Sequence, residues 1–156
     1  MMTIRRSFIA AILVAASAIT LAAQTRTAEG LPTPLADTEW VLSAIKGETP
    51  IEGREGATLS FATGGQFGTS AGCNRFKGKA EIKGETITFP DQLAGTMMAC
   101  PEDLATQEEQ VLALLAAVRS YKHEKTVLIL LDAEGQEVLR YTREAPETET
   151  LIETKG

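Results

Sequence analysis

The two residue types that carry much of enzyme and metal chemistry are scarce in this sequence. Its 156 residues include two cysteines, Cys73 and Cys100, and one histidine, His123. A structural zinc site needs four ligands, which closely spaced Cys or His pairs commonly supply. A catalytic cysteine needs a base, usually histidine, to form its thiolate. Because the cysteines are far apart and nothing orients His123 toward either, we expect neither kind of site.

Other catalytic patterns are also missing. The sequence has no Ser-His-Asp arrangement, no phosphate-binding glycine loop and no acidic metal loop. Glu108 and Glu109 form a carboxylate pair, but they lie in a predicted helix whose exposed surface needs charge. His123, in "SYKHEK", is expected to be exposed near the last turn of that helix, where a cation complements the helix dipole. We therefore predict a protein that is not an enzyme, with no catalytic residue, metal or cofactor.

The N-terminal segment predicts export. A basic leader, "MMTIRR", precedes an apolar run from Phe8 to Ala23 that ends in small residues, the layout of a signal peptide over residues 1–23. The run is shorter than the roughly 20 residues of a membrane-spanning helix. A lipoprotein would carry cysteine after the small residues, where this chain has Gln24. We expect a soluble periplasmic or secreted protein with no stable membrane anchor after cleavage.

The charge of the exported chain argues against two classes of partner. Residues 1–23 hold two of the 15 basic residues and none of the 21 acidic ones, so their removal leaves a net charge of −8. An acidic surface repels phosphates, which excludes nucleic acid and anionic lipid. The 133 remaining residues are enough for one domain. We expect a monomer that binds an unknown envelope protein or a small ligand.

In an oxidising compartment, the cysteine pair is interpreted first as a disulfide between Cys73 and Cys100. Closing that loop of 28 residues would stabilise the fold by about 3–4 kcal/mol in the chain-entropy model. The alternative is two buried or adjacent thiols.

The pattern along the chain predicts one α+β domain over residues 37–143. Residues 24–36 form a flexible lead-in, and residues 144–156 an acidic, disordered tail. Short alternating strands fill most of the domain. The segment from Pro101 to about Ser120 predicts an amphipathic helix, since its apolar residues recur with helical spacing. A hairpin follows, with Val127, Ile129 and Leu131 expected on one face.

Residues around the two cysteines are the candidate binding residues: Asn74, Arg75, Met97 and Met98. Asn74 suits a turn or bulge with positive φ, and Arg75 is expected to cap or to pair with an acid such as Asp103. Methionines beside a cysteine can ligate soft metals, but a methionine pair more often fills gaps in a core.

Together the motifs "WVL" from Trp40, "GCNRFKG" from Gly72 and "TMMACP" from Thr96, followed by an acidic amphipathic helix and a closing hairpin, resemble the META domain family. That family includes the HslJ-like proteins of the bacterial envelope. The resemblance implies a compact antiparallel domain, a curved sheet or partial barrel with one helix packed on it. It also implies an association with heat shock and antibiotic (novobiocin) resistance. It implies no catalysis or ligand, and its signature residues are equally explained as determinants of the fold.

Three functional hypotheses remain. The first is a non-enzymatic envelope protein of stress response or antibiotic tolerance that works through binding. The second is a carrier of a small apolar ligand in the curve of the sheet, lined by the aromatic residues Trp40, Phe61, Phe67, Phe76 and Phe89. The third, an enzyme using Cys73 or Cys100, would require a free thiol.

Overall fold

The computed structural model describes residues 34–143. The predicted signal peptide, most of the lead-in and the predicted acidic tail lie outside the described residues. Within them the chain forms ten β-strands and one α-helix. In chain order these are β1 (Thr38–Ile45), β2 (Ala57–Phe61), β3 (Gln66–Ala71), β4 (Arg75–Lys79), β5 (Glu81–Lys83), β6 (Thr86–Thr88), β7 (Ala94–Gly95), α1 (Glu102–Ala117), β8 (Ser120–Glu124), β9 (Val127–Leu131) and β10 (Glu137–Thr142).

The strands form one antiparallel sheet with the order β5-β6-β8-β9-β10-β1-β2-β3-β4-β7. It curls into a half-barrel with the helix packed on it, which confirms the predicted α+β class. Side chains alternate between the two faces of each strand. Trp40 stands opposite Leu59, and Leu59 opposite Thr69, so this cross-strand row faces the interior.

The concave side of the sheet is filled by large side chains. Trp40, Leu59 and Tyr141 are completely buried. The rings of Phe67 and Phe89 meet edge to face with centroids 4.9 Å apart. Aromatic pairs in this geometry contribute beyond their area burial. The predicted core aromatics are therefore packed against one another and against the helix.

The folded unit begins earlier than the predicted residue 37. Leu35 belongs to the segment expected to be a flexible lead-in, yet its side chain is completely buried in the core. The Thr38 hydroxyl donates to the Leu35 carbonyl at 2.6 Å and accepts the Trp40 indole N–H at 2.8 Å. The short segment before β1 is thus joined to the core aromatic that follows it.

The helix ends three residues before the predicted Ser120. Val118 keeps the apolar spacing of the helix, but its backbone is extended, and the Arg119 N–H bonds to the Leu131 carbonyl of the sheet. Pairing with β9 therefore replaces the last helical turn, and Ser120 starts β8.

His123 consequently lies in a strand, not near the end of a helix, and it is half-buried. Its ring meets Trp40 edge to face at 5.3 Å between centroids.

The strand β9 carries apolar side chains on both of its faces. Leu128 and Leu130 are completely buried, whereas Val127 and Ile129 are half-exposed. Both faces of this strand are apolar, so alternation alone does not determine which one meets the core.

Candidate functional site

The predicted disulfide between Cys73 and Cys100 is present, with the two Cα atoms 6.1 Å apart. Cys73 follows the end of β3, and Cys100 lies just before the helix. The Cys73 side chain is buried, and Cys100 is half-buried. The bridge therefore fixes the start of the helix to the sheet.

Asn74 organises the chain on the other side of this bridge. Its side-chain oxygen accepts hydrogen bonds from the Met98 N–H at 2.7 Å and the Thr96 hydroxyl at 2.8 Å. Its amide nitrogen donates to Glu108 Oε1 at 3.0 Å, Cys100 Sγ at 3.2 Å and the Met98 carbonyl at 3.3 Å. We call residues 96–100 the methionine loop. One buried amide thus holds this loop and connects it to the helix.

The backbone of Asn74 is held by the same helix, since its N–H donates to Glu108 Oε2 at 2.7 Å. The positive φ expected at Asn74 occurs instead at Gly72, with φ 111°. Gly72 adopts this φ readily because it has no Cβ atom, and another chain segment passes close to it. A Cβ atom on Gly53 would lie 2.1 Å from the Gly72 carbonyl oxygen, so both positions need glycine.

Gln107 is a second buried amide, which the sequence analysis missed. Its Nε2 donates to the carbonyls of Ile51 at 3.0 Å and Ala71 at 2.8 Å, and its Oε1 accepts the Ile51 N–H at 2.6 Å. A polar residue between Leu104 and Val111 on the apolar stripe of the helix was the signal that could have revealed it. Gln107 holds the loop after β1 against the end of β3.

The two methionines are exposed and do not fill core gaps. Met97 is 98% exposed and Met98 is 48% exposed. Among residues 34–143, no group of three or more His, Cys, Asp or Glu side chains is placed to hold a metal ion. The methionine loop therefore presents two large apolar side chains to solvent, while hydrogen bonds to Asn74 hold its backbone.

Arg75 forms an ion pair with Glu55, not with the expected Asp103. The Asp103 carboxylate instead accepts the Leu104 N–H at 2.8 Å. The Arg75 side chain is largely exposed, and exposed pairs of this kind contribute only about 0–1 kcal/mol. The Arg75 N–H donates to the Thr96 hydroxyl at 3.1 Å, which connects β4 to the methionine loop.

The structure does not support cysteine chemistry, because both cysteines are in the disulfide and neither is a free thiol. His123 is half-buried, with its ring edge to face against Trp40, and the Arg143 guanidinium lies 4.6 Å from the centroid of the Trp40 ring. His123 Nε2 is buried with no hydrogen-bond partner in the described part of the chain.

The curve of the sheet leaves little room for a ligand. Phe76 borders a cavity of about 80 Å³ between the helix and the loop after β6, whose other lining residues are Pro90, Asp91, Leu93, Leu112 and Leu115. Small-molecule sites usually have roughly 300–1,000 Å³. The other aromatic residues of the carrier hypothesis, Trp40, Phe61, Phe67 and Phe89, are buried in the core.

A comparison with protein-family models gives a match to the META domain over residues 33–145, which includes the whole described part of the chain. The chain belongs to the META domain family. The motif around Cys73 and Asn74 and the motif around Met98 and Cys100, on which the resemblance depended, are the two segments that Asn74 joins in this META domain.

Solved structures share the fold. A protein from Burkholderia xenovorans, determined by NMR, is 26% identical, with a TM-score of 0.57, over 72% of this chain and 85% of that one. A second NMR structure is 24% identical, with a TM-score of 0.56, over 69% and 90% of the two chains. A DUF4847 family protein from Bacteroides vulgatus ATCC 8482, determined by crystallography, is 12% identical, with a TM-score of 0.51. The match covers 73% of this chain and 97% of that one. Among curated proteins, none matches this chain.

Membership of the META domain family indicates an envelope-associated protein, and neither the family nor the neighbours indicate an enzyme family. The disulfide fits an oxidising compartment. In the described residues, the helix is too short and too polar to cross a membrane.

Proposed function

We propose that this META domain protein is an exported, non-enzymatic protein of the bacterial envelope that acts in stress response or antibiotic tolerance by binding another protein. The observation that carries the proposal is the exposure of Met97 and Met98 on a loop whose backbone Asn74 and the disulfide hold in place. The binding surface is the methionine loop.

The chemistry of this loop favours an apolar partner surface. Contiguous apolar patches on a protein surface mark interaction sites, and Met97 and Met98 are adjacent exposed apolar residues. Methionine side chains are unbranched and polarisable, so they adapt to pockets of irregular shape. Because the loop is already ordered, binding would require little further loss of backbone entropy.

The binding step is tested by capture from envelope extract with the full exported chain as bait. We expect the double substitution Met97→Gln and Met98→Gln to lose the partner that the wild type retains. Val41→Gln is the matched control, since Val41 is an apolar side chain, 54% exposed, on a strand of the sheet. Equal recovery of all proteins by wild type and double variant would reject the methionine loop as the binding surface.

The physiological role is tested with a deletion strain. We expect reduced survival under heat or novobiocin, restored by the wild-type gene but not by the Met97→Gln and Met98→Gln double variant. Intact mass of the protein from the periplasm or medium should correspond to a chain beginning near Gln24. A deletion strain that grows normally under both stresses would contradict the proposed role.

The carrier hypothesis has no observation in its favour, because the interior of the described domain is packed with side chains.

A further inference from the structure

A polar trough lies on the outer face of the sheet, away from the aromatic core. Two cross-strand rows build its floor. In one row Ser60 stands opposite Gly68, and in the other Thr58 stands opposite Ser70. We call these four residues the hydroxyl trough. Three of them have short side chains and Gly68 has none, and the strands on either side carry longer side chains.

The walls come from the two neighbouring strands. On β1, Glu39 is paired with Ser60, and on β4, Arg75 is paired with Ser70 and Lys77 with Gly68. Glu55, bound to Arg75, closes the same side. With adjacent strands about 4.8 Å apart, the walls on β1 and β4 are separated by about 14 Å. The trough is open to solvent, and its volume of about 480 Å³ is within the range of small-molecule sites.

Gly68 is what makes the floor deep. A Cβ atom at this position would lie 3.2 Å from the Ser60 hydroxyl and would fill the middle of the trough. Its φ does not lie in the left-handed region, so the backbone there does not require glycine. The absence of a side chain at Gly68 therefore leaves space in the trough, and the backbone conformation does not account for the glycine.

The polar groups of the trough have unused hydrogen-bonding capacity. Within the described residues, the Thr58 hydroxyl and the Glu39 carboxylate have no hydrogen-bond or ion-pair partner. The Ser60 hydroxyl makes only a long bond of 3.4 Å to the Gly68 carbonyl. A hydroxyl both donates and accepts, and a carboxylate accepts at two oxygens. These groups can serve a ligand that offers several donors and acceptors side by side.

The charges around the trough select against ions. The charged residues that line the trough are Glu39, Glu55 and Arg75, and Lys77 stands beside them on β4, so the charges in and around the trough balance. A purely apolar ligand would strip water from the hydroxyls without replacing their hydrogen bonds, which is unfavourable. We propose that the hydroxyl trough binds a neutral saccharide, whose hydroxyls pair with Thr58 and Ser60 and with the flanking Glu39.

This site is separate from the protein contact proposed for the methionine loop. Arg75 borders both, because its N–H bonds to Thr96 while its side chain lies on the trough wall. The saccharide site needs neither Met97 nor Met98. A failure of either proposal can therefore be distinguished from a failure of the other.

The test is NMR titration of the 15N-labelled full exported chain with three neutral probes: maltotriose, cellotriose and chitotriose. We expect at least one probe to shift backbone amide signals of β2 and β3 at millimolar concentration, with phosphate and acetate shifting none of them. Thr58→Val keeps the shape of the side chain and removes its hydroxyl, and it should weaken binding roughly tenfold. Gly68→Val fills the floor and should abolish binding.

Thr88→Val, on the exposed face of β6, is the matched control and should leave the affinity unchanged. The Met97→Gln and Met98→Gln double variant should also bind saccharide normally. The proposal is overturned if none of the three probes shifts β2 and β3, if the shifts fall elsewhere on the domain, or if Thr58→Val binds as tightly as the wild type. Should Gly68→Val fail to fold, Thr58→Val still decides the outcome.

Discussion

Glu108 is the helix residue that connects the two signature motifs through Asn74. Its carboxylate accepts hydrogen bonds from both the backbone N–H and the side-chain amide of Asn74, at 2.7 and 3.0 Å. Hydrogen bonds to a charged acceptor are worth more than neutral ones. The Glu-Glu pair at positions 108 and 109 thus contains one structural residue and one solvent-exposed residue.

Glu108→Gln should lower the free energy of unfolding by about 1–3 kcal/mol. The two carboxylate oxygens of Glu108 each accept an N–H of Asn74, whereas glutamine has one oxygen and would turn an NH₂ group toward the other N–H. The measurement is urea unfolding at pH 7, with Glu109→Gln as the control on the same helix. Equal stabilities for the two variants would show that the carboxylate of Glu108 does not hold Asn74.

Sequence reasoning identified Asn74 by its place beside Cys73 but gave it the wrong local role. The positive φ lies at Gly72, two residues earlier, where Gly53 from another part of the chain passes against it. Met97 and Met98 remain candidate binding residues, and both are exposed. Their exposure could not be predicted, since a methionine pair fits a core equally well by composition.

At the scale of elements, the loop between β1 and β2 is fixed where it crosses the end of β3. Gln107 binds this loop at Ile51, and Gly53 passes against Gly72. Gly53→Ala should destabilise the fold by about 3 kcal/mol, because its methyl group would overlap the Gly72 backbone and force the two segments apart.

Gly56→Ala is the control for Gly53→Ala in the same loop. Its nearest neighbour would be the Thr58 side chain at 3.7 Å, so we expect stability within about 1 kcal/mol of the wild type. Thermal unfolding by circular dichroism measures both. If Gly53→Ala is as stable as Gly56→Ala, the close crossing of the two segments is not a constraint on the fold.

The elements that sequence reasoning missed are those set by partners distant in sequence. The strand β8 follows soon after the helix, and its pairing with β6 and β9 keeps residues 120–124 extended. The two-residue strand β7 exists because it pairs with Phe76 and Lys77 of β4. By contrast, the residues of β1 and β2 alternate clearly in sequence, as expected for the short alternating strands of the domain, and both form strands.

At the scale of the whole molecule, the fold class could be predicted because one amphipathic helix among short alternating strands has few compact solutions. The curvature of the sheet was implied by the family resemblance, not by any strand pattern. Tyr141 is completely buried in the interior of that curved sheet. Its burial affects how the stability of the whole domain depends on pH.

Burial raises the pKa of Tyr141 well above its ordinary value of about 10, and the Thr69 side chain offsets only part of this increase. The Tyr141 hydroxyl lacks a hydrogen-bond partner of good geometry within residues 34–143. The folded state therefore keeps this proton at a pH where the unfolded chain releases it. The stability contribution of neutral Tyr141 is complete below pH 10 and is lost as the pH rises further.

Tyr141→Phe should consequently unfold less readily in alkali than the wild type. We expect a difference of at most about 1 kcal/mol at pH 7, because the removed hydroxyl has no good partner. Above pH 10 the free energy of unfolding of the variant should rise relative to that of the wild type by up to about 1.4 kcal/mol per pH unit. Burial also raises the pKa of Tyr121, and the charge of Glu85 adds to this increase. The variant should therefore still lose some stability at alkaline pH.

Urea unfolding of wild type and Tyr141→Phe at several pH values from 8 to about 11 measures this difference. Comparing the two proteins at each pH removes the contributions of lysine and of Tyr121, which they share. A difference that stays constant across the series would mean that Tyr141 titrates alike in the folded and unfolded chains. In that case the hydroxyl must reach water or a base in the folded domain, and the interior of the half-barrel would be open at Tyr141.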